Sequence, residues 1–150
     1  MIIEKMTIEH LEKIKDILQE EYDDFWNYNI LKKELDNENS QYLVVIENED
    51  ILGFAGIQFI LDEADITNIV IKKSERNKGI GTELLNKIVE IAKKNGAKSL
   101  TLEVNENNKY AIKLYEKFDF EEIGRRKKYY NGIDTAIIMK KEIWYNSINR

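Results

Sequence analysis

The chain has no cysteine, no proline, a single histidine and only seven glycines in 150 residues. Without cysteine there is no disulfide, no thiolate zinc site and no cysteinyl acyl-enzyme. One histidine, His10, cannot build a serine–histidine pair or a multi-histidine metal centre. Catalysis is left to carboxylates, tyrosine, lysine and backbone, and no metal is expected. No segment approaches the roughly 20 apolar residues that span a bilayer. The start, Met1 to Met6, lacks the apolar core of a signal peptide, so the expectation is a cytoplasmic protein with no membrane partner. The lack of proline, the few glycines and the absence of repeats or low-complexity stretches argue against an interdomain linker. A net charge of −5 offers no general attraction for nucleic acid. We expect one domain over 1–142 with a short tail at 143–150, as a monomer or weak homodimer.

What is present reads as an alternation of strands and helices. Ile2 to Met6 is a short strand, and Thr7 caps a helix carrying Ile8, Leu11, Ile14, Ile17 and Leu18 at helical spacing. Phe25 and Trp26 interrupt the pattern in a segment, Asp23 to Tyr28, that can border a pocket. Ile30, Leu31 and Leu35 then mark a second, shorter helix. Tyr42 to Ile46, Ile51 to Leu61 and Ile66 to Ile71 are β-branched and aromatic runs, expected as three antiparallel strands. From Gly81 to Asn95 the residues Leu84, Leu85, Ile88, Ile91 and Ala92 form one apolar face, and Gly96 supplies the stop. A strand from Ser99 to Val104, a helix from Asn108 to Phe118, and strands Phe120 to Tyr130 and Thr135 to Lys140 joined through Asn131-Gly132 complete the order βααβββαβαββ. The class is α/β, with a mixed, mostly antiparallel central sheet of about seven strands and four helices.

Two stretches can carry chemistry. The strand ending at Ile71 leads through Arg76-Asn77-Lys78-Gly79-Ile80-Gly81-Thr82 directly into the strongest helix. First-turn amides of a helix point outward with the positive end of its dipole, and glycines let a phosphate approach the backbone. A pyrophosphate suits that turn, although paired glycines at such a junction often serve only the turn. In the strand Ser99 to Val104, Leu100, Leu102 and Val104 share one face and Thr101 and Glu103 the other, which leaves a carboxylate near the strand's end. A lone strand glutamate is most often solvated or salt-bridged.

The Arg76-x-x-Gly79-x-Gly81 turn resembles the coenzyme A pyrophosphate loop of the GNAT acetyltransferase superfamily. The block from Leu102-Glu103-Val104 through Asn108, Ala111-Ile112 and Leu114-Tyr115-Glu116-Lys117 to Phe120 resembles the LEV...N..AI.LYEK.GF block of its RimI-type members. Leu61 to Ala64, Asn68 to Ile71, Arg126 to Tyr130 and Ala136 to Met139 fit the same pattern, so the likeness spans roughly residues 1 to 142. It implies the GNAT fold and an enzyme that passes the acetyl group of acetyl-CoA directly to an amine, in RimI-type enzymes the amino-terminal alanine of a small-subunit ribosomal protein. It further implies Glu103 as general base and Tyr115 as general acid toward the coenzyme A thiolate. The pyrophosphate falls to Arg76, Asn77, Lys78, Gly79, Ile80, Gly81 and Thr82. The backbone of Ile69, Val70 and Ile71, with Asn108, falls to the pantetheine arm.

Asn105 stands where an arginine is common in that family, Glu106-Asn107-Asn108 where a Ser-Asn pair is, and Asp119 where glycine is. Asp119 tolerates a left-handed turn better than most residues. Asp62, Glu63 and Asp65 can favour a basic peptide by complementary charge. Glu106 is a possible second base, and Tyr129 and Tyr130 are candidates for lining the acceptor cleft. His10 lies on a helix with no partner in view, and the run Arg125-Arg126-Lys127-Lys128 reads as a solvated strand end. Acetylation of a small amine such as a polyamine or an aminoglycoside, and a non-catalytic acyl-CoA-binding module, remain open on the sequence.

Overall fold

The computed structural model describes residues 1–22, 27–130 and 132–144. Strand β1 (Ile2–Lys5) opens the chain, followed by helix α1 (Ile8–Ile14), a 3-10 turn (Lys15–Ile17), α2 (Leu18–Glu21) and α3 (Tyr28–Leu35). Strands β2 (Ser40–Glu47), β3 (Asp50–Ile60) and β4 (Glu63–Ile71), helix α4 (Ile80–Lys94), strand β5 (Ser99–Asn105), helix α5 (Lys109–Lys117) and strands β6 (Glu121–Tyr130) and β7 (Asp134–Glu142) complete it. The strands form one seven-stranded sheet in the order β1-β2-β3-β4-β5-β7-β6. The chain divides into two compact units, residues 1–58 with 67–90 and residues 59–66 with 91–150, and β3, β4 and α4 contribute to both.

In the first unit the amphipathic face of α1 and α2 buries Leu11, Ile14 and Leu18 with Leu31 of α3 against Tyr42, Val44, Ile51, Phe54 and Val70 of the strands. Each such apolar side chain, wholly withdrawn from water, stabilises by about 1.5–3 kcal/mol. The single helix expected from Thr7 onward is divided by the Lys15–Ile17 turn. Its start holds a finding that pattern reading missed. His10 is no unpartnered surface residue: it closes a capping box, with Thr7 N–H donating to His10 Nδ1 at 2.9 Å and His10 N–H donating to Thr7 Oγ1 at 3.4 Å. Asp23, Asp24, Phe25 and Trp26, read as a possible pocket border, lie outside the described residues.

One glycine-dependent contact shapes this unit. Gly56 pairs with Tyr42 across β2 and β3, and the Tyr42 ring lies where a Gly56 side chain would stand. From there its hydroxyl reaches Thr67 Oγ1 at 3.2 Å and accepts from Asn68 Nδ2 at 3.4 Å on β4. Helix α4 buries Leu84, Leu85 and Ile88 completely. It ends as expected at Gly96, where Gly96 N–H donates to Lys93 and Ala97 N–H to Ala92, the paired bonds of a Schellman stop.

In the second unit β4 and β5 run parallel, with Glu63, Ala64 and Asp65 opposite Ser99, Leu100 and Thr101. β5 is then antiparallel to β7 along its whole length, and β7 to β6. Leu100, Leu102 and Val104 are buried while Thr101 and Glu103 are half-buried, the alternation read from the sequence. Asp119 does adopt the left-handed conformation, φ 68°, as α5 turns into β6. Ile143, the first residue of the expected tail, is buried and its N–H donates to Lys98 O at 2.9 Å. Trp144, by contrast, is 82 % exposed.

Candidate active site

The residues singled out from the sequence fall into two groups, one in each unit. In the first unit β4 delivers Ile69, Val70 and Ile71 to the turn that precedes α4. The Val70 side chain is spent in the core, which leaves its backbone as the part able to serve a ligand. Asn77 and Gly79 both take left-handed backbone angles, φ 63° and 83°, and a side chain at Gly79 would meet nothing within 4 Å. The turn is thus open at the glycine. Gly79 O accepts from Glu83 N–H at 3.2 Å, which begins the helical ladder. The N–H groups of Ile80, Gly81 and Thr82 consequently have no acceptor within the helix. Ile80 is buried and anchors the first turn. These features suit the pyrophosphate of an acyl-CoA: open backbone, outward amides and a helix dipole of favourable sign.

Arg76 behaves differently from its neighbours. Its Nε donates to Ile71 O at 3.1 Å and its Nη2 to Tyr22 O at 3.0 Å. The guanidinium therefore ties the end of α2 to the end of β4 and shapes the loop from beneath. Lys78, with its ammonium 3.0 Å from Glu75, keeps 58 % of its side chain exposed. Tyr22 is wholly buried and donates to Ile51 O at 2.8 Å. Burial, reinforced by Asp50 and Glu21, pushes its hydroxyl pKa well above the ordinary tyrosine value.

In the second unit Glu103 projects from β5 with 27 % of its side chain exposed, and Arg126 Nη2 of β6 sits 3.1 Å from its Oε1. The same guanidinium lies 5.1 Å from the Tyr129 ring centre. Arg126 was read as solvated surface. It is exposed as read and is in addition the cation beside the candidate base, while the likewise exposed Arg125 bonds Glu122 at 3.0 Å and approaches Glu106 at 3.6 Å. No sequence signal marks this pairing, because it depends on how β6 registers on β7 and β7 on β5.

Asn108 caps α5, its Oδ1 accepting from Ala111 N–H at 3.2 Å. Two turns along, Tyr115 is 9 % exposed, its ring 5.8 Å from that of Phe120. Of the acidic trio, Asp62 bridges Lys98 at 3.2 Å and Asp65 accepts from the Thr101 hydroxyl. Tyr129 is exposed. The Asn131 half of the expected hairpin turn lies outside the described residues. Among the described residues no group of histidine and acidic side chains could hold a metal ion. No described helix is long and apolar enough to cross a membrane.

The pattern of the acetyltransferase (GNAT) family matches residues 11–120, and the chain belongs to that family. It is an acetyl-CoA-dependent N-acetyltransferase. Among its relatives is the ribosomal protein bS18-alanine N-acetyltransferase of Haemophilus influenzae, 37 % identical over 144 residues, which cover 92 % of this chain and 96 % of that one. The crystal structure of the ribosomal-protein-S18-alanine N-acetyltransferase from Escherichia coli superposes with a TM-score of 0.88 at 29 % identity, covering 99 % of this chain and 97 % of the other. Ard1 from Thermoplasma volcanium shares the fold, with a TM-score of 0.84 at 19 % identity over 96 % of this chain and 98 % of that one.

Proposed function

We propose that this protein acetylates the α-amino group of the amino-terminal alanine of ribosomal protein bS18, in the cytoplasm. The observation that carries this reading is the likeness to the Haemophilus influenzae bS18-alanine enzyme along nearly the full length of both chains. The chemistry is consistent with it. An α-amine has a pKa of about 7.7–8.0 against about 10.4 for lysine, so at neutral pH far more of it is free to attack. A single carboxylate base suits such an amine.

Acetyl-CoA supplies an activated thioester carbonyl. Glu103 accepts the proton that the amine nitrogen loses as it forms its bond to that carbonyl, directly or through one water. Tyr115 donates its hydroxyl proton to the sulfur as the carbon–sulfur bond breaks, so free coenzyme A leaves as a thiol. Backbone N–H groups of Asn68 to Ile71 polarise the acetyl oxygen and pair the pantetheine arm with help from Asn108. The amides of residues 79–82 and the side chains of Asn77 and Lys78 hold the pyrophosphate, on a loop braced by Arg76. The acetyl group is never attached to the protein. Glu63, together with Asp62 and Asp65, biases the acceptor toward basic peptides.

The test incubates the protein with acetyl-CoA and short peptides, one beginning with alanine and one carrying only an internal lysine, and follows thiol release and product mass. The alanine peptide is expected to gain one acetyl group at its α-amine. Glu103→Gln should lower kcat by about 100-fold or more, and Tyr115→Phe should slow it while leaving the fold intact. Preferential turnover of a polyamine or an aminoglycoside would replace the peptide reading with a small-amine one.

A further inference from the structure

One carboxylate on β7 holds the joint between β5 and α5. Asn105 Nδ2 donates to Asp134 Oδ2 at 3.1 Å, and Asn107 Nδ2 donates to Asp134 Oδ1 at 3.2 Å. The Asn105 Oδ1 in turn accepts from Asn107 N–H at 2.9 Å. Three side chains therefore close a ring in which both oxygens of Asp134 and both ends of the Asn105 amide are engaged. Two backbone bonds complete the attachment: Glu106 N–H to Thr135 O at 3.0 Å and Asn108 N–H to Asn105 O at 2.9 Å.

The ring's place in the chain gives it consequence. Asn105 is the last residue of β5, two beyond Glu103, and Asn107 immediately precedes the residue that caps α5, the helix bearing Tyr115. The direction in which α5 leaves β5 is set by how residues 105–108 fold. That folding is fixed by an anion from β7. Hydrogen bonds to an ionised acceptor are roughly twice as strong as neutral ones. The loop is thus held more firmly than its polar composition would provide alone.

We propose that Asp134 is a positioning residue for acetyl transfer, acting through Asn105 and Asn107 to fix the geometry of Glu103 and Tyr115 without itself touching substrate. The inference rests on the assignment of those two residues as base and acid. Asn105 and Asn107 are also two of the positions at which this chain departs from the RimI-type pattern. With Asp134 they form a self-consistent set.

The ring can be rewritten with its polarity exchanged. Asn105→Asp together with Asp134→Asn keeps the net charge. The new carboxylate at 105 still accepts from Asn107 N–H and also accepts from the amide at 134, whose oxygen accepts from Asn107 Nδ2. Each single substitution opposes like groups instead: Asp134→Asn faces amide N–H with amide N–H, and Asn105→Asp faces carboxylate with carboxylate. The experiment measures kcat and KM on the alanine-starting peptide at a temperature where circular dichroism shows every variant folded.

Each single variant is expected to lose kcat by about 100-fold, the cost of displacing reacting groups by about 1 Å, with KM for acetyl-CoA moving far less. The double variant should regain most of that loss. Should a single variant fail to fold, Asn107→Ala, which removes one exposed donor, should lower kcat by about tenfold, the equivalent of one such bond. Wild-type kcat in the variants, or a double variant as slow as the slower single one, overturns the proposal. Glu103→Gln in the same series separates the two readings. Full activity there overturns the base assignment itself, whereas a slow Glu103→Gln beside fully active ring variants overturns only the role of Asp134.

Discussion

Gly56→Ala adds one methyl group and has a large calculable effect. A methyl group at that position would meet Tyr42 Cζ, with Thr67 Oγ1 at 2.5 Å and Tyr42 Cε2 at 2.7 Å. Carbon atoms in contact prefer about 3.5–4.0 Å. Tyr42 is 2 % exposed, so its ring has no solvent to retreat into. Overpacking of a well-filled interior costs about 1–3 kcal/mol. If the ring tilts away, its hydroxyl also gives up Thr67 and Asn68, at about 0.5–1.5 kcal/mol for a typical bond. The expected loss is about 3 kcal/mol, or a fall in Tm of roughly 6–12 °C for a chain of this length. Urea unfolding followed by circular dichroism measures it, in the wild-type background and again in Tyr42→Leu. With the ring gone the added methyl still meets Thr67 Oγ1 but no longer the two ring carbons, so the same substitution should cost at least about 1 kcal/mol less there. A loss within about 0.5 kcal/mol of zero, or equal losses in both backgrounds, would refute the reasoning. The consequence reaches function, because Thr67 and Asn68 lead directly into the backbone assigned to the pantetheine arm.

Gly79→Val places a branched side chain at φ 83° in the open pyrophosphate turn. It should raise KM for acetyl-CoA by an order of magnitude or more while saturating kcat stays near wild type, and steady-state kinetics with acetyl-CoA varied would show it. Saturating acetyl-CoA at a hundred times its dissociation constant should stabilise the protein by about 2.7 kcal/mol, seen as a rise in Tm that Gly79→Val shrinks. Because burial raises the Tyr22 pKa above its ordinary 10.0, the folded state keeps a proton that the unfolded chain has lost. That contribution is complete below about pH 10 and declines as pH rises above it, by at most about 1.4 kcal/mol per pH unit. Tyr22→Phe should flatten the decline in urea titrations on either side of pH 10, and an unchanged slope would count against it. Neutralising Asp62, Glu63 and Asp65 together should reduce the preference for basic over neutral alanine-starting peptides in competition assays.

Much of the fold was legible in the amino-acid order because its cause is local. The face formed by Leu84, Leu85, Ile88 and Ala92 with the Gly96 stop marks α4 by periodicity and by the one residue suited to the turn. Thr7 and Asn108 announce helix starts because a side-chain oxygen must satisfy first-turn amides. The alternation of Leu100, Leu102 and Val104 with Thr101 and Glu103 assigns the faces of β5 through the pleat. The arrangement of residues 76–82 at a strand-to-helix junction likewise lies within one contiguous stretch. These features need only neighbours within a few positions, and the sequence states those neighbours outright.

What only the tertiary structure decided is which distant groups meet. Arg126 reaches Glu103, Arg76 turns to the carbonyls of Tyr22 and Ile71, Tyr42 crosses the bare surface of Gly56, and Asp134 gathers Asn105 and Asn107. Each pairing joins residues from 5 to 54 positions apart in number. Strand register sets most of them, and register depends on the summed burial of whole strands. A cation four residues from a turn reads as solvated surface until the sheet places a carboxylate beside it. Residue types along the chain name the candidate base, and the pairing of β5, β6 and β7 decides which cation stands beside it.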